Sequence, residues 1–356
     1  MPPLPAFPKT PLLVIRADAS PQIGFGHVMR CMAVAEEWGA RSGKVLFLAS
    51  SLPSEIEALL TKNNFEVQSH GEIAGSPGDV SRTVAIARER AASWTMVDGD
   101  RFDAEYLAAL LRFGLRVLAV DDNAARQFYG VDAILNPSIS ARVQDYGERA
   151  EGNIPLLVGG EYTLLRSSLL GSRPFPDATP RAGRLLVCLG GSDPVNRTAE
   201  VLEALGSLGA AVDSLEVRVL VGAANPFGDS IRETARRLSL KVEIESGKFD
   251  VASGLAWADT VIAAAGVFGL EVIHHRLPMG LTTVAANQER NYAAICALGA
   301  AVPLGAGSSF GGEDTQAGLL SLLCDPTTRE RVFAATAGLV DGEGARRVVD
   351  FMLGRN

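Results

Sequence analysis

Short apolar runs alternate with longer stretches of helical spacing along almost the whole chain. Leu12–Arg16 reads as a strand, followed by a glycine-containing loop and a helix from about Val28 to Arg41. Lys44–Ala49 is the next strand and Ser54–Lys62 the helix behind it. Thr95–Val97, Arg116–Val120 and Ala133–Leu135 continue the strand series, with amphipathic stretches such as Ala104–Phe113 between them. The period is lost over Gly171–Arg184, which is rich in Pro, Gly and Arg, as an interdomain linker would be. The alternation then restarts. Strands are predicted at Leu185–Cys188, Val217–Val221, Thr260–Ala263, Met279–Thr283 and Ala301–Pro303, with helices at Arg197–Leu205 and Ile231–Leu238. Strands alternating with helices imply parallel sheets joined by right-handed crossovers. The expected fold class is therefore α/β, with two doubly wound Rossmann-like domains facing a cleft. The expected boundaries are 1–170 and 185–356 with the linker at 171–184, and the last helix is a candidate to return to the N-terminal domain. Open parallel sheets bind ligands beyond the C-terminal ends of their strands, so the strand-to-helix loops are where chemistry is expected.

Composition narrows the function. With 356 residues, 47% apolar and 21% charged, the chain has the make-up of a globular protein long enough for two cores. The net charge of −8, without a Lys/Arg block, argues against a nucleic-acid partner, which needs clustered positive charge. A phosphate can still be held against that field by local backbone amides. The longest apolar run, Val261 to Leu270, is far short of the roughly 20 residues that cross a bilayer, so no membrane partner is expected. The proline-rich start, Met1 to Thr10, has neither the basic nor the apolar region of a signal peptide. Cys31, Cys188, Cys296 and Cys324 are widely spaced with no Cys-x-x-Cys, which fits buried thiols in a cytoplasmic protein and no metal site.

Three strand-to-helix loops carry candidate chemistry. The first holds Arg16 and Asp18, then Gly24, Gly26, His27 and Arg30. Its glycines permit a tight turn, and His27 falls at a helix start, where the helix dipole is expected to keep the imidazole neutral and able to act as a general base. The alternative is a histidine that only fills the turn. No Gly-x-Gly-x-x-Gly follows this strand, which disfavours a nicotinamide cofactor. The second loop is Gly190-Gly191-Ser192-Asp193-Pro194, read either as a phosphate cradle or as a plain turn with Ser192 or Asp193 as cap and Pro194 in the first helical position. The third is Gly266-Val267-Phe268-Gly269-Leu270-Glu271, where Glu271 could grip ribose hydroxyls or face solvent; Asn287-Gln288 follow the next strand. His70 reads as solvated surface, and the adjacent His274-His275 as helix-end partners rather than a metal pair.

Taken in order, these pieces resemble the PseG/SpsG family over nearly the whole chain. The resemblance rests on Arg16-x-Asp18, Ile23-Gly24-x-Gly26-His27-Val28-x-Arg30-Cys31, Val97-Asp98, Asp121-Asp122 and Asn136-Pro137. It continues through Gly160-x-Tyr162-x-Leu164-Leu165-Arg166, Gly190-Gly191-Ser192-Asp193-Pro194, Asn287-Gln288 and Asp341-Gly342-x-Gly344-Ala345-x-Arg347. It implies a GT-B-like fold similar to MurG and metal-independent, cofactor-free hydrolysis of the anomeric C–O bond of a UDP-linked amino sugar. His27 then corresponds to the base that activates water, with Arg16, Asp18, Gly24, Gly26, Arg30, Asn287 and Gln288 near the substrate. Gly190, Gly191, Ser192, Gly266, Phe268 and Glu271 correspond to the nucleotide-diphosphate site. Two departures stand out. Asp98 is followed by Gly99-Asp100 where the family commonly has a tyrosine, which makes Asp100 a candidate additional acid or base beside His27. Val267 and Phe268 also replace the hydroxyl residues usual after the loop glycine. The competing readings are a GT-B glycosyltransferase, a homologue acting on another phosphorylated substrate, and a catalytically silent nucleotide binder.

Overall fold

The computed structural model describes residues 10–20, 23–124, 130–147, 154–171, 182–222, 224–247 and 250–355. The expected N-terminal tail, except Thr10, and residues 172–181 of the expected linker lie outside the described residues. The chain resolves into two compact units. One comprises the residues up to Ser167 together with those from Gly342 onward, and the other is Ser168–Asp341.

In the first unit, seven parallel strands form one sheet among the described residues. They are β1 (Leu12–Ala17), β2 (Lys44–Ala49), β3 (Glu66–Ser69), β4 (Trp94–Asp98), β5 (Val117–Val120), β6 (Ala133–Asn136) and β7 (Leu156–Val158). Their order is β3-β2-β1-β4-β5-β6-β7. β1 is buried along its full length, as a central strand covered on both faces must be. β3 escapes notice in the sequence because it is an edge strand: Glu-Val-Gln-Ser has one apolar residue and is only partly covered. The connecting helices are α1 (Gly26–Ala40), α2 (Ser54–Lys62), α3 (Pro77–Glu89) and α4 (Ala104–Arg112). α1 begins two residues before the predicted start, and Val28, Cys31, Met32, Val34, Ala35 and Trp38 form its buried face.

The second unit repeats the plan. Its strands are β8 (Arg184–Cys188), β9 (Glu216–Val221), β10 (Lys241–Ser246), β11 (Thr260–Ala264), β12 (Met279–Thr282) and β13 (Val302–Pro303), in the order β10-β9-β8-β11-β12-β13 and all parallel. β10, Lys-Val-Glu-Ile-Glu-Ser, is again an edge strand with polar alternation. The helices are α5 (Arg197–Gly206), α6 (Gly228–Arg237), α7 (Val251–Trp257), α8 (Val267–His274), α9 (Glu289–Ala297), α10 (Glu313–Cys324) and α11 (Pro326–Ala335).

The last helix, α12 (Gly344–Leu353), belongs to the first unit. Val348, Val349 and Met352 are fully buried in the core that holds Trp38 and Trp94, and the Trp94 indole donates to the Met352 carbonyl at 2.8 Å. Burial of each such side chain contributes about 1.5–3 kcal/mol, enough to hold a ten-residue helix that would be marginal alone.

Each sheet has one switch point, where the strand order reverses: between β1 and β4 in the first unit, and between β8 and β11 in the second. The loops singled out in the sequence leave β1, β8 and β11, and so flank these two points. Such positions gather loop backbone and side chains around an open crevice.

Candidate active site

The first loop puts His27 in the first turn of α1, with Arg30 and Cys31 one helical turn further along on the same face. Gly24 has a φ of 76°, a left-handed conformation that favours glycine, and its amide closes a turn onto the Ser20 carbonyl. Asp98 ends the neighbouring β4 and is completely buried. Its Oδ1 lies 2.8 Å from His27 Nδ1. Arg30 grips the same carboxylate with both arms, Nε donating to Oδ2 and Nη2 to Oδ1, each at 2.6 Å. The Cys31 thiol donates to Oδ2 at 3.3 Å, and the other terminal nitrogen of Arg30 donates to Asp122 at 2.6 Å.

Chemistry follows from this geometry. A carboxylate can only accept, so the proton of a neutral His27 sits on Nδ1 and Nε2 carries the free lone pair. This is the arrangement of a histidine base oriented by a buried acid. Burial disfavours the imidazolium, but the Asp98 charge and hydrogen bond more than offset that, and the net effect raises the His27 pKa above the ordinary 6.5. The helix-dipole expectation therefore had the wrong sign, because a carboxylate in direct contact outweighs a partial charge at the helix end. For Asp98, burial opposes ionisation, but the Arg30 and His27 charges prevail and hold it well below the usual carboxylate range.

Asp100 lies exposed in the turn after β4, and the carboxylate bonded to His27 is Asp98. Nothing in the residue pattern of the chain assigns Asp98 or Asp122 a part in proton handling. The available signal is position, since each acid closes or follows a predicted strand.

Arg16 and Asp18 form a separate buried network. Arg16 is fully buried and pairs bidentately with Asp79, Nε to Oδ1 at 2.9 Å and Nη2 to Oδ2 at 2.8 Å, and it also faces Asp18 at 2.9 Å. Asp18 accepts from the Ser50 and Ser51 amides, tying the end of β1 to that of β2. Both residues thus act within the fold. His70 corrects the surface reading: its side chain is 3% exposed, with Nε2 3.5 Å from Asp79. Burial and the Arg16 charge together lower its pKa.

In the second unit, Gly190 turns the chain after β8 with φ at 98°, and Gly191 and Ser192 are partly exposed. Pro194 does not begin the helix. α5 starts at Arg197 and the Asp193 side chain reaches its end, Oδ1 accepting from the Arg197 amide and Oδ2 from the Thr198 amide, both at 2.9 Å. Asp193 rather than Ser192 thereby satisfies the first helical amides. Replacing Asp193 with alanine is expected to cost about 0.5–2 kcal/mol, read as a lower urea midpoint of the second unit through Trp257; an unchanged midpoint would deny the cap.

α8 differs in having no side-chain cap at Gly266. A methyl group at Gly266 would come within 3.2 Å of Gln288 Nε2, whose Oε1 accepts from the Val284 amide. The structure thus brings Gly266 and Gln288 together, while Asn287 is exposed. Phe268 is buried on α8, and Glu271 is buried rather than solvated. Its charge helps raise the buried Cys188 thiol at the end of β8, after burial itself, to about 12. Among the described residues, no three His, Cys, Asp or Glu side chains are placed to hold a metal ion, and no helix is long and apolar enough to cross a membrane.

No protein-family model matches the chain. Curated proteins do, among them the two that follow. The chain is 23% identical to the spore coat polysaccharide biosynthesis protein SpsG of Bacillus subtilis, over 94% of this chain and 95% of that protein. It is 25% identical to a UDP-2,4-diacetamido-2,4,6-trideoxy-beta-L-altropyranose hydrolase of Campylobacter jejuni, over 54% of this chain and 65% of that protein. The resemblance is to the PseG/SpsG proteins. Among solved structures, MurG of Acinetobacter baumannii superposes with a TM-score of 0.66 at 15% identity, covering 97% of this chain and all of that one. The fold is that of the GT-B enzymes, two Rossmann-like units in one chain.

Proposed function

We propose that the chain hydrolyses a nucleotide-diphosphate-linked amino sugar, a UDP-sugar of the PseG type, with His27 as general base. The observation that carries this reading is the Asp98–His27 contact of 2.8 Å, which fixes the ring and leaves Nε2 as the proton acceptor. Nε2 takes a proton from water as the water oxygen bonds to the anomeric carbon. The C–O bond to the diphosphate breaks, and its electron pair leaves on the diphosphate oxygen. Positioning one water and accepting its proton is the protein's main task, since the leaving group is already good.

Taken by itself, the second unit carries strand-to-helix turns suited to a diphosphate. The Gly190–Ser192 turn and the Gly266 turn flank its switch point, and the uncapped start of α8 presents amides and the positive end of a helix dipole to an anion. Gln288 beside Gly266 is a further donor, with Phe268 and Glu271 on the nucleoside side. Backbone amides thereby replace the hydroxyls lost at Val267 and Phe268.

The test is nucleotide release from a panel of UDP-, CDP-, GDP- and dTDP-sugars without acceptor, beside thermal shifts with the free nucleotides. A nucleotide at about 100 times its Kd should stabilise the protein by about 2.7 kcal/mol. Release only when an acceptor is added would make the protein a transferase. If none of these nucleotides moved the melt, the diphosphate site would be refuted.

A further inference from the structure

Arg30 makes more contacts around His27 than holding a helix in place requires. It occupies both oxygens of Asp98, reaches Asp122 with its remaining nitrogen, and places Nη2 3.2 Å from His27 Nδ1. When Nδ1 carries the proton that Asp98 accepts, the last contact is between two donors and is repulsive. The guanidinium and the imidazole therefore compete for one carboxylate. Asp122 is the counterweight. It is 23% exposed, follows β5, and pairs with the side of Arg30 that faces away from Asp98. The loop that carries it is fixed by its neighbours: the Asp121 amide donates to the Leu135 carbonyl at 2.9 Å, and the buried Tyr146 hydroxyl donates to the Asp121 carbonyl at 3.3 Å.

We propose that Arg30 is a positioning residue that divides the charge of Asp98 and so sets how tightly His27 holds a proton, with Asp122 controlling how much of the Arg30 charge the ring feels. The physical need is plain. A buried carboxylate raises the proton affinity of a histidine, and efficient bases have proton affinities near the working pH. A cation on the same carboxylate lowers that affinity without removing the orienting hydrogen bond. The groups involved come from each element around the ring: Arg30 and the Cys31 thiol from α1, Asp98 from β4, and Asp122 from the loop after β5. Against burial, which lowers it, Asp98 and Asp122 raise the His27 pKa, and Arg30 lowers it.

This inference deepens the hydrolase reading and rests on it only for its catalytic consequence. It is tested by an NMR titration of the His27 ring in the full chain, which needs no substrate. Arg30→Gln should raise the His27 pKa by about one pH unit, a tenfold gain in proton affinity, and Asp122→Asn should lower it. The rising limb of kcat/KM against pH should move with the ring in each variant. Shifts of opposite sign separate electrostatic tuning from packing damage, which has no reason to reverse. Should Arg30→Gln not fold, the partly exposed Asp122→Asn carries the test alone. An unmoved ring in Asp122→Asn, or movement in the same direction in both variants, overturns the proposal. Ring shifts as expected without any nucleotide-sugar turnover would leave the tuning standing and reject the hydrolase reading.

Discussion

Replacing His27 by glutamine is expected to lower turnover of the proposed reaction by about 10²–10⁴-fold while leaving nucleotide affinity unchanged, because only a proton acceptor is lost. The side chain is of similar reach, so packing is largely kept. The pH profile supplies the sign. The base works when neutral, and Asp98 raises the His27 pKa above 6.5, so the wild-type rate should climb with pH through a midpoint above that value. Stability moves the other way. A raised folded pKa stabilises the protein fully below the unfolded value near 6.5, and this contribution is lost as pH rises through the folded value. His27→Gln should therefore be most destabilising under mildly acidic conditions. Turnover of the variant within a factor of two of wild type across the pH range would remove His27 from the reaction.

Removing Asp79 is expected to give the largest loss of stability. Asp79 is fully buried and accepts from Arg16 twice, from the Gly75 amide at 2.9 Å, from Thr83 at 3.2 Å and from Tyr106 at 3.3 Å. Asp79→Ala leaves the Arg16 guanidinium buried with Asp18 as its remaining carboxylate, beside the Leu48 carbonyl and the Ser50 hydroxyl. Breaking a buried pair costs about 3–5 kcal/mol, and the remaining partner places this case near 3 kcal/mol. Urea unfolding followed through Trp38 and Trp94, in a Trp257→Phe background, reads the first unit. Arg16→Met combined with Asp79→Ala should cost less than the sum of the two single changes, by a coupling of about 0.5–3 kcal/mol. Simple additivity would show that the pair does not act as one.

Much of this fold is legible in the chain because central parallel strands are buried on both faces and must be apolar along their length. Leu12–Arg16, Lys44–Ala49 and Leu185–Cys188 stand out for that reason. The edges are hidden by the same physics. β3 and β10 face solvent and keep polar residues, so Glu66–Ser69 and Lys241–Ser246 lack the continuous apolar run that marks the central strands. The helix expected from Arg197 begins there, but its cap is not the local one: Pro194 looks like a first helical residue, while Asp193 reaches forward to amides at 197 and 198.

By itself the sequence determined the class of the fold, two runs of strand and helix, and the loops where glycines and a histidine gather, because periodicity and turn chemistry are local. Only the tertiary structure decided what that histidine meets. Asp98 and Asp122 lie 71 and 95 positions from His27, and sheet order alone brings β4 beside β1 and β5 beside β4. The charge of a histidine depends on such neighbours at contact distance. Whether a carboxylate or only a helix dipole faces the ring is therefore settled by strand order and not by any stretch of the chain.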